Sequence, residues 1–400
     1  MKSRNMGRTR SRAAIVVAAA ASVAAGAALL PAGSASAATA RSAAPIVDQQ
    51  TRATFQRLAD AVLTDRTDAL VDGPQGNRKK PLTRGFSGDV KLSAALARSE
   101  NATLSALDLR KDRLAALGEK YSKANTVVTL NSTRLKGTKA EVEVTETTTL
   151  TYQKVRGDEP GTTGFQAHHA LTFTADARGH WQLTGIRNTD AAADVAVNQP
   201  AQPSAQPSAK AKVGTVADDT MPNAPRAATT RTTPANVKNL TTGAYDYKAM
   251  ATYAEKYWST YNAEYPNFNG HTAGGDCTNF VSQSLKAGGW KHAPGYVYDY
   301  TKWFGNADIQ SDSFVGVNEW SWFAQNSKRT TSLAYVYQLD VGDVLQMDFD
   351  RDGAKDHTMI VTYRSAGVPY LTYHSVNTYR RSLASIIASE PNAYYYAYRT

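Results

Sequence analysis

Between Ala191 and about Asn236 the chain runs through Gln199-Pro200-Ala201-Gln202-Pro203-Ser204-Ala205-Gln206-Pro207-Ser208 and then a stretch rich in Thr, Ala and Pro. Proline at this density imposes extended backbone, and Gln, Ser and Ala offer little to bury, so the stretch reads as a disordered linker without a core. It divides the sequence into two folded regions, expected at 45–190 and 240–400. A length of 400 residues favours the same division.

Residues 1–37 read as a signal peptide. Lys2, Arg4, Arg8, Arg10 and Arg12 form a basic start, Ala13 to about Leu30 is rich in Ala and Val, and Ala35-Ser36-Ala37 supplies a small-residue cleavage site. No adjacent Arg-Arg pair lies within it, which favours the general secretory route over the twin-arginine one. No later apolar run reaches the roughly 18–20 residues of a membrane span. A secreted product with no membrane span in its mature form is expected.

The formal net charge is +10, and five of the basic residues belong to the signal segment. From Val237 to Thr400 there are 14 Lys/Arg against 15 Asp/Glu, so the excess positive charge lies in the front region. A nucleic-acid-binding region would carry a basic face, and this near-neutral balance argues against that class. The basic front region could lie beside anionic cell-wall polymers, or be an ordinary solvated surface.

Within the front region, Phe55, Leu58, Ala59, Val62 and Leu63 have helical spacing, so a helix is expected over about 46–71. A polar loop at Asp72–Arg84 follows, then a second helix over Leu92–Leu117, interrupted near Asn101. Alternating Thr/Val-rich runs at Thr126–Leu135 and Thr138–Val155, turning at Lys136-Gly137, read as strands, as do Phe165–Ala175 and Trp181–Thr189. This is an α+β region whose element order resembles the cone-shaped folds of nuclear-transport-factor type, and its expected role is accessory. His168-His169 lie on a strand, point to opposite faces, and make a poor metal site.

The chemistry concentrates after the linker. Cys277 is the only cysteine and cannot be half of an intrachain disulfide. In Gly274-Gly275-Asp276-Cys277-Thr278-Asn279-Phe280-Val281-Ser282-Gln283, the residues Cys277, Phe280, Val281 and Ser284 fall on one helical face, Asp276 is a good N-cap, and Gly288-Gly289 form a stop. The thiol is then on the first turn of a helix, where unpaired N–H groups and the macrodipole favour a thiolate and could hold an oxyanion. The alternative is a small buried apolar side chain. Upstream, Asp246–Asn262 carries a Tyr-rich helical stripe that reads as packing. Downstream, Trp303 and Trp320 either line a peptide or sugar groove or belong to the core; with Asp276 they are the candidate substrate-binding residues.

Strands are expected at Val344–Phe349, His357–Tyr363, Pro369–His374 and Ala393–Tyr398. With Ser365-Ala366-Gly367 as the hairpin loop, His357 would sit opposite His374. The candidate catalytic set is Cys277 as nucleophile, His357 as general base and acid, and either His374 or Asn377 as the group that orients it. The competing reading is that the histidines cap strand ends. The run Asp348-x-Asp350-x-Asp352-Gly353 matches the first half of a calcium loop, but its twelfth position is Met359 instead of a bidentate Glu, which excludes an EF-hand. A partial calcium turn and a polar β-turn stay open there, and no metal is assigned.

The segments Gly275-Asp276-Cys277-Thr278-Asn279-Phe280-Val281-Ser282-Gln283, Asp348–Gly353 running into Asp356-His357-Thr358-Met359-Ile360-Val361, and Tyr373-His374-Ser375-Val376-Asn377 resemble, in that order, the bacterial amidase-domain family. That family is related to papain-like cell-wall hydrolases, whose Asp-Cys-Ser-Gly-Phe-Val motif is similar to positions 276–281. The resemblance spans about Tyr245 to Thr400. It implies a papain-like α+β domain that hydrolyses an amide bond without a cofactor, on a peptide or peptidoglycan-like substrate. Asn279 stands where the cell-wall endopeptidases have Gly, so their substrate does not carry over. A monomer is expected. The rival functions are a cell-wall binding or adhesion protein with a non-catalytic papain-like domain, and a cysteine acyltransferase that uses an amine as acceptor.

Overall fold

A computed structural model describes residues 47–73, 83, 90–190, 196–200, 222, 224–231, 238–240, 243–269 and 275–400. The signal segment 1–37, most of the stretch 191–236, most of the loop 72–84 and His271 lie outside the described residues.

The front region opens with α1 (Gln49–Asp68), whose Asp48 side chain accepts from the Thr51 amide at 2.7 Å as an N-cap. Strand β1 (Val90–Leu92) precedes α2 (Ala94–Ala116), which is continuous through Asn101. Arg66 bridges the two helices by donating two hydrogen bonds to the Glu100 carboxylate, at 2.8 and 2.7 Å. The sheet strands follow as β2 (Tyr121–Lys136), β3 (Lys139–Tyr152), β4 (Thr162–Ala175) and β5 (Trp181–Asn188). On β3, burial alternates: Ala140, Val142, Val144, Leu150 and Tyr152 turn inward, as the period of a half-buried strand requires. Two of its inward positions are polar, Glu146 and Thr148. Glu146 is satisfied by His169 Nε2 at 2.9 Å and Asn198 Nδ2 at 2.6 Å. His168, the adjacent residue, faces the other way and bonds Asp190, so the two histidines serve separate carboxylates.

The second region contributes α3 (Tyr247–Tyr257), α4 (Cys277–Ala287), α5 (Asp312–Val315), α6 (Val317–Asn326), β6 (Thr331–Leu333), β7 (Val344–Asp348), β8 (His357–Ser365), β9 (Val368–Tyr373), β10 (Asn377–Ser382), α7 (Leu383–Ser389) and β11 (Tyr394–Arg399). Mixed helices and mostly antiparallel strands make the protein α+β, as expected.

The two regions are joined more intimately than the composition suggests. The eleven described strands form one sheet, and β4 is the seam. One edge of β4 is taken by β3, while the other is divided end to end, with β5 on His169–Ala175 and β10 on Gly164–Gln166. Residues 44–400 accordingly form one compact unit. One buried cluster is common property: Leu107, Leu114, Tyr121 and Phe165 pack with Met347, Met359, Leu371 and Ile386. The described parts of the expected linker are also packed. Ala196–Asn198 are buried, with Arg110 donating to the Ala196 and Val197 carbonyls at 3.0 and 2.6 Å. The Ala227 amide donates to the Tyr395 carbonyl at 2.7 Å. Among the described residues no helix is long and apolar enough to cross a membrane.

Candidate active site

The sheet β9-β8-β7-β11 has two covered faces. On one, Ile360 and Val344 pack with Phe280 and Val281 of α4 and with Trp320 and Phe323 of α6. On the other, Met347, Met359 and Val361 pack with α7. Which face a residue takes is set by register. The β8–β9 hairpin closes on a two-residue turn, Ala366-Gly367, both with positive φ (46° and 78°), as a type I′ turn requires. A bulge at Thr362 then shifts the pairing, and Ile360 lies opposite Thr372. The expected pairing of His357 with His374 is therefore off by one, and a slip of one residue exchanges faces. Thr358 turns toward α4, where its hydroxyl meets that of Thr278 at 2.9 Å. His357 turns to the opposite face, against Tyr373 and Phe349, with ring centroids at 5.2 and 6.5 Å.

Cys277 opens α4, as the pattern predicted, directly after Asp276. Asp276 does not cap the helix with its side chain. Its Oδ2 bonds His374 Nδ1 at 2.7 Å, and its Oδ1 accepts from Asn279 Nδ2 at 2.8 Å and from the Phe268 amide at 3.1 Å. Its own amide donates to Ser375 Oγ at 2.9 Å. Ser375 holds φ +73°, a conformation that non-glycine residues adopt at a cost of about 1 kcal/mol. Neither this anchor nor the role of Asn279 was visible as a motif.

His374 stacks on Phe280 with centroids 4.0 Å apart, and its Nε2 bonds the Tyr257 carbonyl at 2.8 Å. Its two ring nitrogens thus face a carboxylate and a carbonyl. Its partner carboxylate is almost completely buried, as is the ring itself.

The Cys277 thiol is 2% exposed, and its sulfur lies 3.8 Å from Thr278 Oγ1. Burial pushes the thiol above its ordinary range; the Thr358 amide and the Thr278 hydroxyl pull the other way without reversing it, and Asp276 adds to the rise. The expected thiolate is thus outweighed by desolvation in this conformation. Neither imidazole hydrogen-bonds the sulfur.

The remaining candidates are placed as follows. His357 is fully buried with neither ring nitrogen partnered, and burial together with the Arg381 charge lowers it to about 3. Asn377 is buried on β10; its Oδ1 accepts from the Tyr261 hydroxyl at 3.3 Å, and it bonds neither histidine. Trp303 and Trp320 are fully buried in the core beneath α4, so they line no groove. Asp276 is buried and engaged with His374. Asn269, on the loop before Cys277, donates to Asp190 at 2.9 Å. The acidic turn brings the carboxylates of Asp348, Asp350 and Asp356 within 4.8 Å of one another. Buried Asp348 accepts from the Arg351 and Gly353 amides at 2.7 and 3.1 Å, which closes the turn from within.

A buried thiol on the first turn of a helix thus lies beside a buried Asp276–His374 pair. Residues 244–398 match the family model described as "Putative amidase domain". The chain is 34% identical over 128 residues to the uncharacterized protein YhbB of Bacillus subtilis (strain 168), covering 31% of this chain and 39% of that protein. It is 32% identical over 141 residues to the uncharacterized protein YjcM of the same strain, covering 33% of this chain and 31% of that one. The chain thus spans well under half the length of either relative. Among solved structures, the crystal structure of the intermembrane space region of chloroplast protein ARC6 aligns with 33% of this chain and 95% of its own, at 16% identity and a TM-score of 0.21. A score that low carries no argument about the fold. At family level, the match associates the second region with amide hydrolysis.

Proposed function

We propose that the second region hydrolyses an amide bond with Cys277 as nucleophile and His374, oriented by Asp276, as proton carrier. The observation that carries this reading is that the Asp276–His374 pair closes on the turn that presents Cys277, on the same face of the sheet. In the reaction, His374 acts as the neutral ring with its one proton on Nδ1 toward Asp276, so that Nε2 leaves the Tyr257 carbonyl as a base and takes the thiol proton. The sulfur then bonds the amide carbon while N–H groups of the first turn of α4 hold the oxyanion. The imidazolium protonates the leaving amine as the C–N bond breaks, and water, deprotonated by the same ring, releases the thioester as acid and free thiol. The sequence as written needs no cofactor. We take the substrate to be a peptide or peptidoglycan-like amide outside the cell, reached by export through residues 1–37.

A second reading, a binding module with an inert cysteine, is favoured by the burial of the thiol. Turnover of a peptide-amide panel by the wild type and by Cys277→Ala separates the two. The hydrolase reading expects a loss of at least about a thousandfold. Hydrolysis that persists in Cys277→Ala would refute it, and substrate binding without turnover in the wild type would support the module.

A further inference from the structure

Asp190 belongs to the front region, just beyond β5, yet it bonds the loop that leads into the candidate site. Its carboxylate is 2% exposed. Oδ2 accepts from the His168 amide at 2.8 Å, and Oδ1 lies 2.9 Å from His168 Nδ1. That same Oδ1 accepts from Asn269 Nδ2 at 2.9 Å. The residue before Asn269 is Phe268, whose amide donates to Asp276 Oδ1. Asp276 in turn holds His374 and immediately precedes Cys277. A run of hydrogen bonds and two covalent steps, Asn269 to Phe268 and Asp276 to Cys277, therefore leads from β4 through Asp190 to the first turn of α4.

Four features make this more than incidental contact. The anchor end is held, because His168 lies on β4 opposite Thr145 of β3, where the other edge passes from β10 to β5, and its carbonyl accepts from the Thr189 amide at 2.8 Å. The carboxylate is desolvated and already fixed by a backbone amide, so a bond to it is of the stronger, charge-assisted kind. His168 itself is shifted upward by its bond to Asp190. Asn269 itself is only partly buried.

The geometry points to Asp190 as a positioning residue of the Cys277 site, supplied by the front region. It fixes Asn269 and so sets where the Phe268 amide, the Asp276 carboxylate and the buried thiol stand. This rests on the reading of Cys277 as the reactive residue only for its functional meaning; the positional claim stands on geometry. The front region then completes the site physically, beyond any spacing or anchoring role.

The test compares alkylation of Cys277 by iodoacetamide, mapped by mass, in the full-length protein without denaturant. The variants are Asp190→Ala, Asn269→Ala and the double variant, each with its unfolding midpoint. Losing one charge-assisted bond is expected to accelerate alkylation roughly tenfold in either single variant. Both changes remove the same bond, so the double variant should be no faster than the faster single one. In Asn269→Ala the acceleration should exceed what any drop in its unfolding midpoint accounts for, which a mere loss of overall stability would not produce. Unchanged alkylation in Asn269→Ala, or accelerations that multiply in the double variant, would overturn the proposal. Should Asp190→Ala fail to fold, the Asn269→Ala rate still decides. Persisting turnover in Cys277→Ala would sink the hydrolase reading and leave this comparison intact.

Discussion

Replacing His357 with Phe tests the assignment of faces most sharply. The imidazole is fully buried, neither nitrogen has a partner, and its affinity for a proton falls to a value of about 3 from an ordinary 6.5. The folded protein therefore keeps the ring neutral at pH values where the unfolded chain protonates it. Between pH 3 and 6.5 the unfolded state binds the extra proton, so stability rises with pH in that window. The contribution is fully present above about 6.5 and is lost as pH falls toward 3. Integrated from pH 7 down to pH 5, this one group costs about 2 kcal/mol. In His357→Phe that cost disappears, while at pH 7 the variant should be neutral or gain up to about 1 kcal/mol, because an unsatisfied polar group leaves an apolar site lined by Phe349 and Tyr373. Urea unfolding of both proteins at pH 7 and pH 5 measures the difference directly. The expected result is a stability advantage for the variant that grows by about 2 kcal/mol on acidification. An advantage that does not change with pH would refute the burial argument. Loss of amide turnover in a well-folded His357→Phe would refute the choice of His374 as proton carrier.

Two further outcomes follow from the site. His374→Ala strands a buried Asp276 carboxylate beside α4, so it should cost about 3–5 kcal/mol and abolish turnover, with stability recovered in part by adding Asp276→Asn; differential unfolding and activity assays check both. Because burial pushes the thiol upward, native alkylation of Cys277 should keep rising beyond pH 9, and a plateau near neutrality would show that a thiolate is held in the resting protein.

The sequence made the local pieces legible, and the structure reveals where locality ends. The start of α4 at Cys277 followed from a compact signal: a glycine pair, an acidic residue and an apolar stripe. The Lys136-Gly137 turn between β2 and β3 was equally readable, since Gly137 has φ +60°. The partner histidine was not. Ser365-Ala366-Gly367 is compatible with either a three-residue loop or the two-residue turn, and a bulge at Thr362 has no side-chain signature, yet together they decide which histidine faces α4. Trp303 and Trp320 were ambiguous for a related reason, because an aromatic residue in irregular sequence suits a groove or a core alike. Strand β10 was missed, as Asn377-Thr378-Tyr379-Arg380-Arg381-Ser382 is polar and finds its pairing only in tertiary context.

That same strand has a bearing on how the protein is made. Thr163 donates to the Tyr379 carbonyl across 216 residues of sequence. As the chain is synthesised or threaded through a pore, the lower edge of β4 stands open until nearly the last residues arrive. Pairing of such long range is slow to form, and an open edge invites wrong partners in the interval. A chain cut after the front region would keep that edge permanently, and one begun at the second region would leave β10 reaching for a neighbour that never comes.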